Sequence, residues 1–175
     1  MSIFRASLLT GRTAFVTGGG SGIGQRVAER FAEHGARVVL VGRKREKLDA
    51  AASGIRAAGG TAEAAALDVR DYSAVEDALR RTHERFGEID IVLCAAAGNF
   101  PALVTAMSAN GFKALIDIDL LGTFNTCRAA YEFLPQARRF GAEHFSQPRH
   151  YADCRPVACL CRQGRSRDAH EDAGR

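Results

Sequence analysis

The residues with the most evident chemical potential are glycines that follow a short apolar run near the start of the chain. Residues 13–17 read TAFVT, and the next residues include Gly18, Gly19, Gly20, Gly22 and Gly24. A backbone without side chains, at the start of a helix, presents unpaired N–H groups and the positive end of the helix dipole to an anion. A turn without a ligand is the alternative, but glycines crowded between a strand and a helix have few other uses. The spacing T-G-x-x-x-G-x-G therefore predicts a nucleotide-binding turn.

The elements that hold this turn alternate between strands and helices. Apolar periodicity predicts strands over residues 13–17, 62–67 and 89–95, a further strand ending at Gly42, and helices over 23–34, 43–58, 73–86 and 109–134. Ser73 and Glu76 fit a capping box at the start of the third helix. The alternation predicts an α/β fold with a Rossmann-type, doubly wound parallel sheet that is incomplete after four βα units. In the last helix the candidates for burial are Phe112, Leu115, Ile116, Leu120, Phe124, Ala129 and Phe133.

The residues after the second strand predict which nucleotide is bound. They read G-R-K-R at 42–45, and the first acidic residue is Glu46. In such folds an acidic residue here accepts from the ribose 2′-hydroxyl of NAD, whereas arginine accommodates the 2′-phosphate of NADP. Arg43, with Lys44 beside it, can make a charge-assisted contact with that phosphate, so NADP is the expected cofactor. Asp68, which follows the third strand, is a candidate to bind the adenine edge or, alternatively, a polar cap on that strand.

Composition argues against several other classes of function. The chain has 175 residues, a net charge of +4 and no run of about 18 apolar residues that could span a membrane. Its N-terminal residues lack the apolar core of a signal peptide, so a cytoplasmic location is expected. No disulfide is expected in that compartment. The cysteines include no C-x-x-C pair, and Cys154, Cys159 and Cys161 match no zinc pattern. The arginine-rich C-terminal part carries no lysine and no recognisable module, so no nucleic-acid partner is expected.

Taken together, these residues resemble the short-chain dehydrogenase/reductase family. The match covers roughly residues 4–134 and rests on the T-G-x-x-x-G-x-G turn, on Asp68-Val69, and on C-A-A-A-G at 94–98, where the family usually has N-N-A-G. Within the family the chain looks most like the NADPH-dependent 2,4-dienoyl-CoA reductases, including the peroxisomal type. That likeness rests on A-A-G-N-F at 96–100, S-A-N-G-F-K at 108–113, I-D-I-D at 116–119 and G-T-F-N at 122–125.

The resemblance implies reduction of a 2,4-dienoyl-CoA thioester by NADPH, with hydride added to the far end of the diene and the dienolate then protonated. It implies that Asn99 and Phe100 line the acyl pocket, that Ser108 contacts substrate, and that Asp119 holds a proton-donating water. The alternatives are that Phe100 is a core aromatic and Asp119 a polar residue inside a helix. The cofactor-binding residues that it implies are Thr17, Gly18, Gly19, Gly20, Ser21, Gly22, Ile23, Gly24, Arg43, Lys44, Asp68, Val69, Ala96, Ala97 and Gly98.

The C-terminal part of the chain lacks what the resemblance requires. After Leu134 there is no apolar strand, no lysine and no Y-x-x-x-K, so the active-site lysine is absent. When the codons for residues 161–174 are read one nucleotide later, they allow a sequence that begins A-A-K-A-G. In that frame two positions are narrowly determined: Gln163 yields only lysine or arginine, and Asp168 only methionine or threonine. In that frame residues 137–160 allow N-I-S-A and then H-A-C. The sequence is therefore divided into a dinucleotide-binding part, residues 1–134, and a frameshifted tail, residues 135–175.

The tail has consequences for activity and assembly. Because it supplies no catalytic lysine, the chain as written is expected to reduce nothing, and its fourth strand is expected to have an unpaired edge. An acyl-CoA substrate and a homo-oligomer are implied for an intact family member. Two alternatives stay open: a generic NADP-dependent alcohol or ketone reductase, and a non-catalytic NADP-binding module that uses the tail as a partner-binding arm.

Overall fold

Parallel strands and the helices that connect them make up the described part of the chain, residues 7–99 and 102–135 of a computed structural model. The strands are β1 (Thr13–Thr17), β2 (Arg37–Gly42), β3 (Thr61–Ala66) and β4 (Ile91–Cys94). The α-helices are α1 (Gly22–Glu33), α2 (Arg45–Ala57), α3 (Tyr72–Phe86), α4 (Ala109–Ile116) and α5 (Gly122–Ala130). A π-helical turn spans Asp117–Leu121, and 3₁₀ turns span Val104–Ala106 and Tyr131–Phe133.

The strand order β3-β2-β1-β4 confirms the predicted doubly wound sheet. All the pairings are parallel, with Phe15 of β1 opposite Val39 of β2 on one side and Val92 of β4 on the other. The chain moves outward from β1 to β3 and then crosses back to add β4 on the opposite side of β1. In open α/β sheets, ligands bind beyond the carboxyl ends of the strands at such a reversal, so the fold directs attention to the turns after β1 and β4.

The sheet is buried on both faces, as parallel sheets generally are. Successive residues of a strand face opposite sides, so Val16 and Leu40 pack against α1 and α2 while Phe15 and Val39 pack against α3 and α5. All five residues of β1 are buried, which makes this strand the centre of the fold. One side of α2 is buried against the sheet through Leu48, Ala51, Ala52 and Ile55.

The start of α3 corrects one detail of the sequence prediction. The helix is capped by Asp71, whose carboxylate accepts from the backbone N–H of Ala74 at 3.1 Å. The Ser73 hydroxyl donates to the same carboxylate at 2.7 Å, so the predicted capping box of Ser73 with Glu76 is wrong. The physical reason is that a carboxylate accepts more strongly than a hydroxyl and also complements the positive end of the helix dipole.

The helical run predicted over residues 109–134 is confirmed for residues 109–133, but it contains a π-helical turn, and most of its predicted buried residues are not buried. The π-helical turn separates α4 from α5, and among the residues predicted to be buried there only Ala129 is fully so. Phe112, Leu120 and Phe124 are 56%, 58% and 55% exposed. Their spacing is that of a buried face, but nothing in residues 7–99 and 102–135 packs on that side.

β4 lies at an edge of the described sheet. Within the described residues, no helix is long and apolar enough to cross a membrane.

Candidate functional site

The glycine-rich turn brings the end of β1, the start of α1 and the turn after β4 into close contact. Gly18 has a φ of 67°, and a Cβ atom there would lie within 3.0 Å of the backbone of Ala95 and Ala96. Gly24, in the first turn of α1, packs against the Gly18 carbonyl so closely that a Cβ would come within 3.0 Å of it. Real Cβ atoms essentially never approach other atoms that closely, so these glycines are required for the turn to close.

A cavity of about 400 Å³ lies directly above this turn, at the carboxyl ends of the strands. It brings together eleven of the predicted cofactor residues: Gly18, Gly20, Ser21, Ile23, Gly24, Arg43, Lys44, Asp68, Val69, Ala96 and Ala97. Thr17, Gly19, Gly22 and Gly98 do not line it. Six further residues line the cavity that were not predicted from the sequence: Gly42, Lys47, Leu48, Leu67, Ala95 and Ile118.

Positive charge is concentrated along one side of this cavity. Arg43 and Lys44 line it where β2 gives way to α2, and Lys47 joins them from the first turn of that helix. Residues three apart on a helix share a face, so the spacing of Lys44 and Lys47 is the signal that could have identified Lys47. α1 has no acidic residue in its first turn. An anion at this point therefore meets a helix N-terminus and three cationic side chains with no carboxylate from α1 to oppose it.

Asp68 lines the cavity just after β3, the strand next to β2, and is held by an ion pair. Its carboxylate accepts from the Arg70 guanidinium at 2.7 and 3.0 Å and from the Arg70 backbone N–H at 3.0 Å. The Arg70 side chain, by these hydrogen bonds, holds the pKa of the Asp68 carboxyl below its ordinary value. Asp68 is therefore ionised at neutral pH, with its orientation fixed by a residue two positions further along the chain.

Thr17 supports the cavity from below instead of lining it. Its side chain is buried, and its hydroxyl oxygen accepts from the backbone N–H groups of Ala95 and Ala96 at 3.2 and 3.3 Å. The same hydroxyl donates to the Leu93 carbonyl at 3.3 Å. A small β-branched hydroxyl residue at the end of β1 thus fixes the course of the small-residue turn after β4.

Asp119 connects the far end of that small-residue turn to the π-helical turn. Its Oδ1 accepts from the Gly98 backbone N–H at 2.7 Å, across 21 positions in sequence. Among the described residues, no group donates a hydrogen bond to its other oxygen, Oδ2. A π-helical turn carries an extra residue and is frequent at functional sites. Asp119 lies within such a turn, which apolar periodicity could not predict.

The residues implied to contact substrate are only partly described. Asn99 is exposed next to Gly98, at the end of the same turn. Ser108 is the N-cap of α4, where its hydroxyl oxygen accepts from the Gly111 N–H at 3.0 Å. Phe100 lies outside the described residues. Substrate contacts of all three residues stay predictions.

We expect Asp119→Ala to lower the free energy of unfolding by about 1–2 kcal/mol, because the charge-assisted hydrogen bond to Gly98 is lost. Asp119→Asn keeps an acceptor oxygen of the same reach and is expected to lose much less. Urea denaturation of the two variants beside the unmodified chain measures the difference. Equal stability of the alanine variant and the unmodified chain would contradict a structural role for this contact.

The family of this chain follows from comparison with known proteins. A family model described as short chain dehydrogenase matches residues 12–142, which is more than half of the chain. The chain therefore belongs to the short-chain dehydrogenase/reductase family, a class of oxidoreductases that use nicotinamide cofactors. The resemblance inferred from the turn, from Asp68-Val69 and from the residues after β4 is thereby confirmed.

The chain is similar to several 2,4-dienoyl-CoA reductases and to solved dehydrogenases. It is 41% identical over 133 residues to the peroxisomal 2,4-dienoyl-CoA reductase of Arabidopsis thaliana and 45% identical over 131 residues to that of Rattus norvegicus. These matches cover 76% and 74% of this chain but only 45% of each relative. Among solved structures, the citronellol catabolism dehydrogenase of Pseudomonas aeruginosa PAO1 is 38% identical, with a TM-score of 0.72 over 76% of this chain and 54% of that one. The chain thus spans about half the length of these proteins.

Proposed function

We propose that the cavity binds NADP(H), and that the chain is the cofactor-binding half of a reductase acting on 2,4-dienoyl-CoA thioesters. The observation that carries the cofactor proposal is the concentration of Arg43, Lys44 and Lys47 around a glycine turn whose helix begins without an acidic residue. An NAD site of this fold would have a carboxylate at the end of β2. Here that position is Gly42, followed directly by Arg43.

The residues present fit this cofactor. Gly18 and Gly24 let the turn close tightly, and residues 21, 23 and 24 at the start of α1 line the cavity, where a pyrophosphate would meet unpaired N–H groups. Arg43, Lys44 and Lys47 would hold the 2′-phosphate, and Asp68 with Val69 would border the adenine. When bound, NADPH supplies a hydride for reduction of the substrate. Thr17 and the small residues Ala95–Ala97 keep the cavity floor open beneath it.

The substrate class is supported by the relatives' names and by Asp119. Protonation of a dienolate needs a proton source beside the substrate. Asp119 lies at the end of the turn that lines the cavity, with Oδ1 committed to Gly98 and Oδ2 accepting from no described residue. That second oxygen is suited to orient a water as proton donor. Asn99 and Phe100 follow Gly98 directly and would border the acyl chain.

We further propose that residues from about 135 onward are read out of frame, so that this chain does not turn over substrate. The absence of lysine and of Y-x-x-x-K after Leu134 supports this, as does a next frame that allows a strand end and a lysine helix. The family model ceases to match at residue 142, only a few positions beyond the proposed boundary. Without that lysine the active site that the resemblance implies is incomplete, whereas the residues of the nucleotide-binding turn are all present.

The test is 2,4-dienoyl-CoA-dependent oxidation of NADPH by two purified proteins. One is the 175-residue chain, and the other comes from a gene in which one base near the Pro135 codon is removed. Turnover is expected only from the second protein. Turnover by the 175-residue chain would contradict the frameshift proposal. A frame-restored protein that binds NADPH but leaves dienoyl-CoA unchanged would contradict the substrate proposal.

A second candidate is an NADP-dependent alcohol or ketone reductase. The 38% identity to a citronellol catabolism dehydrogenase favours keeping it, since that name denotes a different substrate. If the frame-restored protein oxidises NADPH with a ketone but not with a dienoyl thioester, this second function is the correct one. The cytoplasmic location and the homo-oligomer of the intact protein stay predictions, and the names of the dienoyl-CoA reductases denote peroxisomal proteins.

A further inference from the structure

Two cysteines that are far apart in sequence meet beside the cofactor cavity. Cys94 is the last residue of β4, and Cys127 lies on α5, 33 positions later. Their sulfur atoms are 3.9 Å apart, and both are thiols in this structure. The residue after Cys94 is Ala95, which lines the cavity. No C-x-x-C spacing signals the pair in the sequence, so only the fold brings it together.

The two thiols differ in their exposure to solvent. Cys94 is 3% exposed and lies within the apolar cluster that contains Phe15 and Val92. Cys127 packs against the edge of that cluster and is only partly buried. A dissolved reagent therefore reaches the Cys127 sulfur first. Redox-active pairs share this asymmetry, in which an accessible thiol is oxidised and a neighbouring thiol resolves it.

The geometry points to Cys94 and Cys127 as an oxidation site that a hydroperoxide converts to an intramolecular disulfide. A disulfide requires a sulfur separation of about 2.05 Å, so the two side chains together must close a gap of about 2 Å. Rotation about the side-chain bonds of α5 and β4 can supply a movement of that size without breaking the sheet. The disulfide would join the end of β4, which leads into the turn that lines the cavity, to α5.

The chemistry balances with a hydroperoxide as the oxidant. The Cys127 thiolate attacks one peroxide oxygen, a sulfur–oxygen bond forms, the oxygen–oxygen bond breaks, and the other oxygen leaves as an alcohol or as water after taking a proton. The Cys94 sulfur then attacks the Cys127 sulfur, the sulfur–sulfur bond forms, and the hydroxyl group leaves as water with the Cys94 proton. Two thiols lose two electrons, and one peroxide gains them.

Mass spectrometry of tryptic peptides tests this inference on the full chain. The chain is treated with a small excess of hydrogen peroxide under native conditions, alkylated in denaturant and then digested. Trypsin releases residues 86–113 and 114–128, each with one cysteine, apart from the tail peptides that carry the other three. We expect a linked pair of these two peptides, lighter by two hydrogens than their sum. Alkylated thiols at both positions, or Cys94 linked to a tail peptide, would overturn the proposal.

The variant Cys127→Ser distinguishes a redox-active cysteine pair from two thiols that are close together but react independently. If Cys127 is the point of attack, its removal leaves Cys94 protected, and loss of the Cys94 thiol is expected to slow by about tenfold or more. Loss of the Cys94 thiol at the unmodified rate would contradict the proposed order of events. The peptide result on the unmodified chain does not depend on how well the variant folds.

Discussion

Gly24→Ala is expected to lower the free energy of unfolding by about 3 kcal/mol and to abolish nucleotide binding. The added Cβ would lie within 3.0 Å of the Gly18 carbonyl, which is backbone and cannot swing aside. Either α1 moves away from β1 or the turn opens. Each outcome displaces the N–H groups at the start of the helix, so the effect on binding should exceed the effect on stability.

Gly54→Ala is the matched control for this change. Gly54 also lies inside a helix, but it is exposed and a Cβ there would meet nothing within 4 Å. Alanine at an exposed helical position stabilises by about 0.5–1 kcal/mol relative to glycine. Denaturant unfolding of the two variants should therefore shift in opposite directions. A Gly24→Ala variant that unfolds at the same denaturant concentration as Gly54→Ala would contradict the close packing of the turn.

Arg43→Ala is expected to weaken NADPH binding by about 10- to 100-fold while changing NADH binding little. The range is that of losing one hydrogen bond to a charged group, about 1.5–3 kcal/mol. Arg43 lines the cavity directly after β2, where the 2′-phosphate of NADP would lie and where NAD has only a hydroxyl. Fluorescence titration with both nucleotides at one salt concentration measures the change, since screening alters such contacts.

Arg45→Ala provides the comparison for Arg43→Ala. Arg45 carries the same charge two positions later, but it does not line this cavity, and its guanidinium bonds to Asp49 at 2.9 Å on the exposed side of α2. Its removal should leave the preference between the two nucleotides unchanged. If both variants lose NADPH affinity equally, the effect is one of general charge and not of a phosphate contact at Arg43.

The sequence could predict the central part of the fold because local and long-range signals agree there. β1 is apolar at its three central positions and buried at all five, and the glycines after it allow a tight turn into α1. Arg43 follows β2 directly and Asp68 lies two positions after β3, so a correct strand assignment is enough to bring both to the cavity. Lys47 was missed because its position follows from helix geometry and not from adjacency to a strand.

The helical run after β4 could be predicted, but its π-helical turn and its exposed apolar side could not, because these depend on contacts distant in sequence. Apolar residues recur across 109–134 as in a continuous helix, but the bond between Asp119 and Gly98 accompanies a π-helical turn. Periodicity also cannot tell a face that meets the described sheet from one that does not, so Phe112 and Phe124 were predicted to be buried and are exposed. The meeting of Cys94 with Cys127 has no local signal at all.

The measurement that tests the central claim most directly is a calorimetric titration of the folded 175-residue chain with NADPH and, separately, with NADH. The arrangement of Arg43, Lys44 and Lys47 predicts that NADPH binds about tenfold or more tightly than NADH, with the preference falling as salt is raised. Equal binding of the two nucleotides, or no binding of either to folded protein, would contradict the assignment of this cavity as an NADP site.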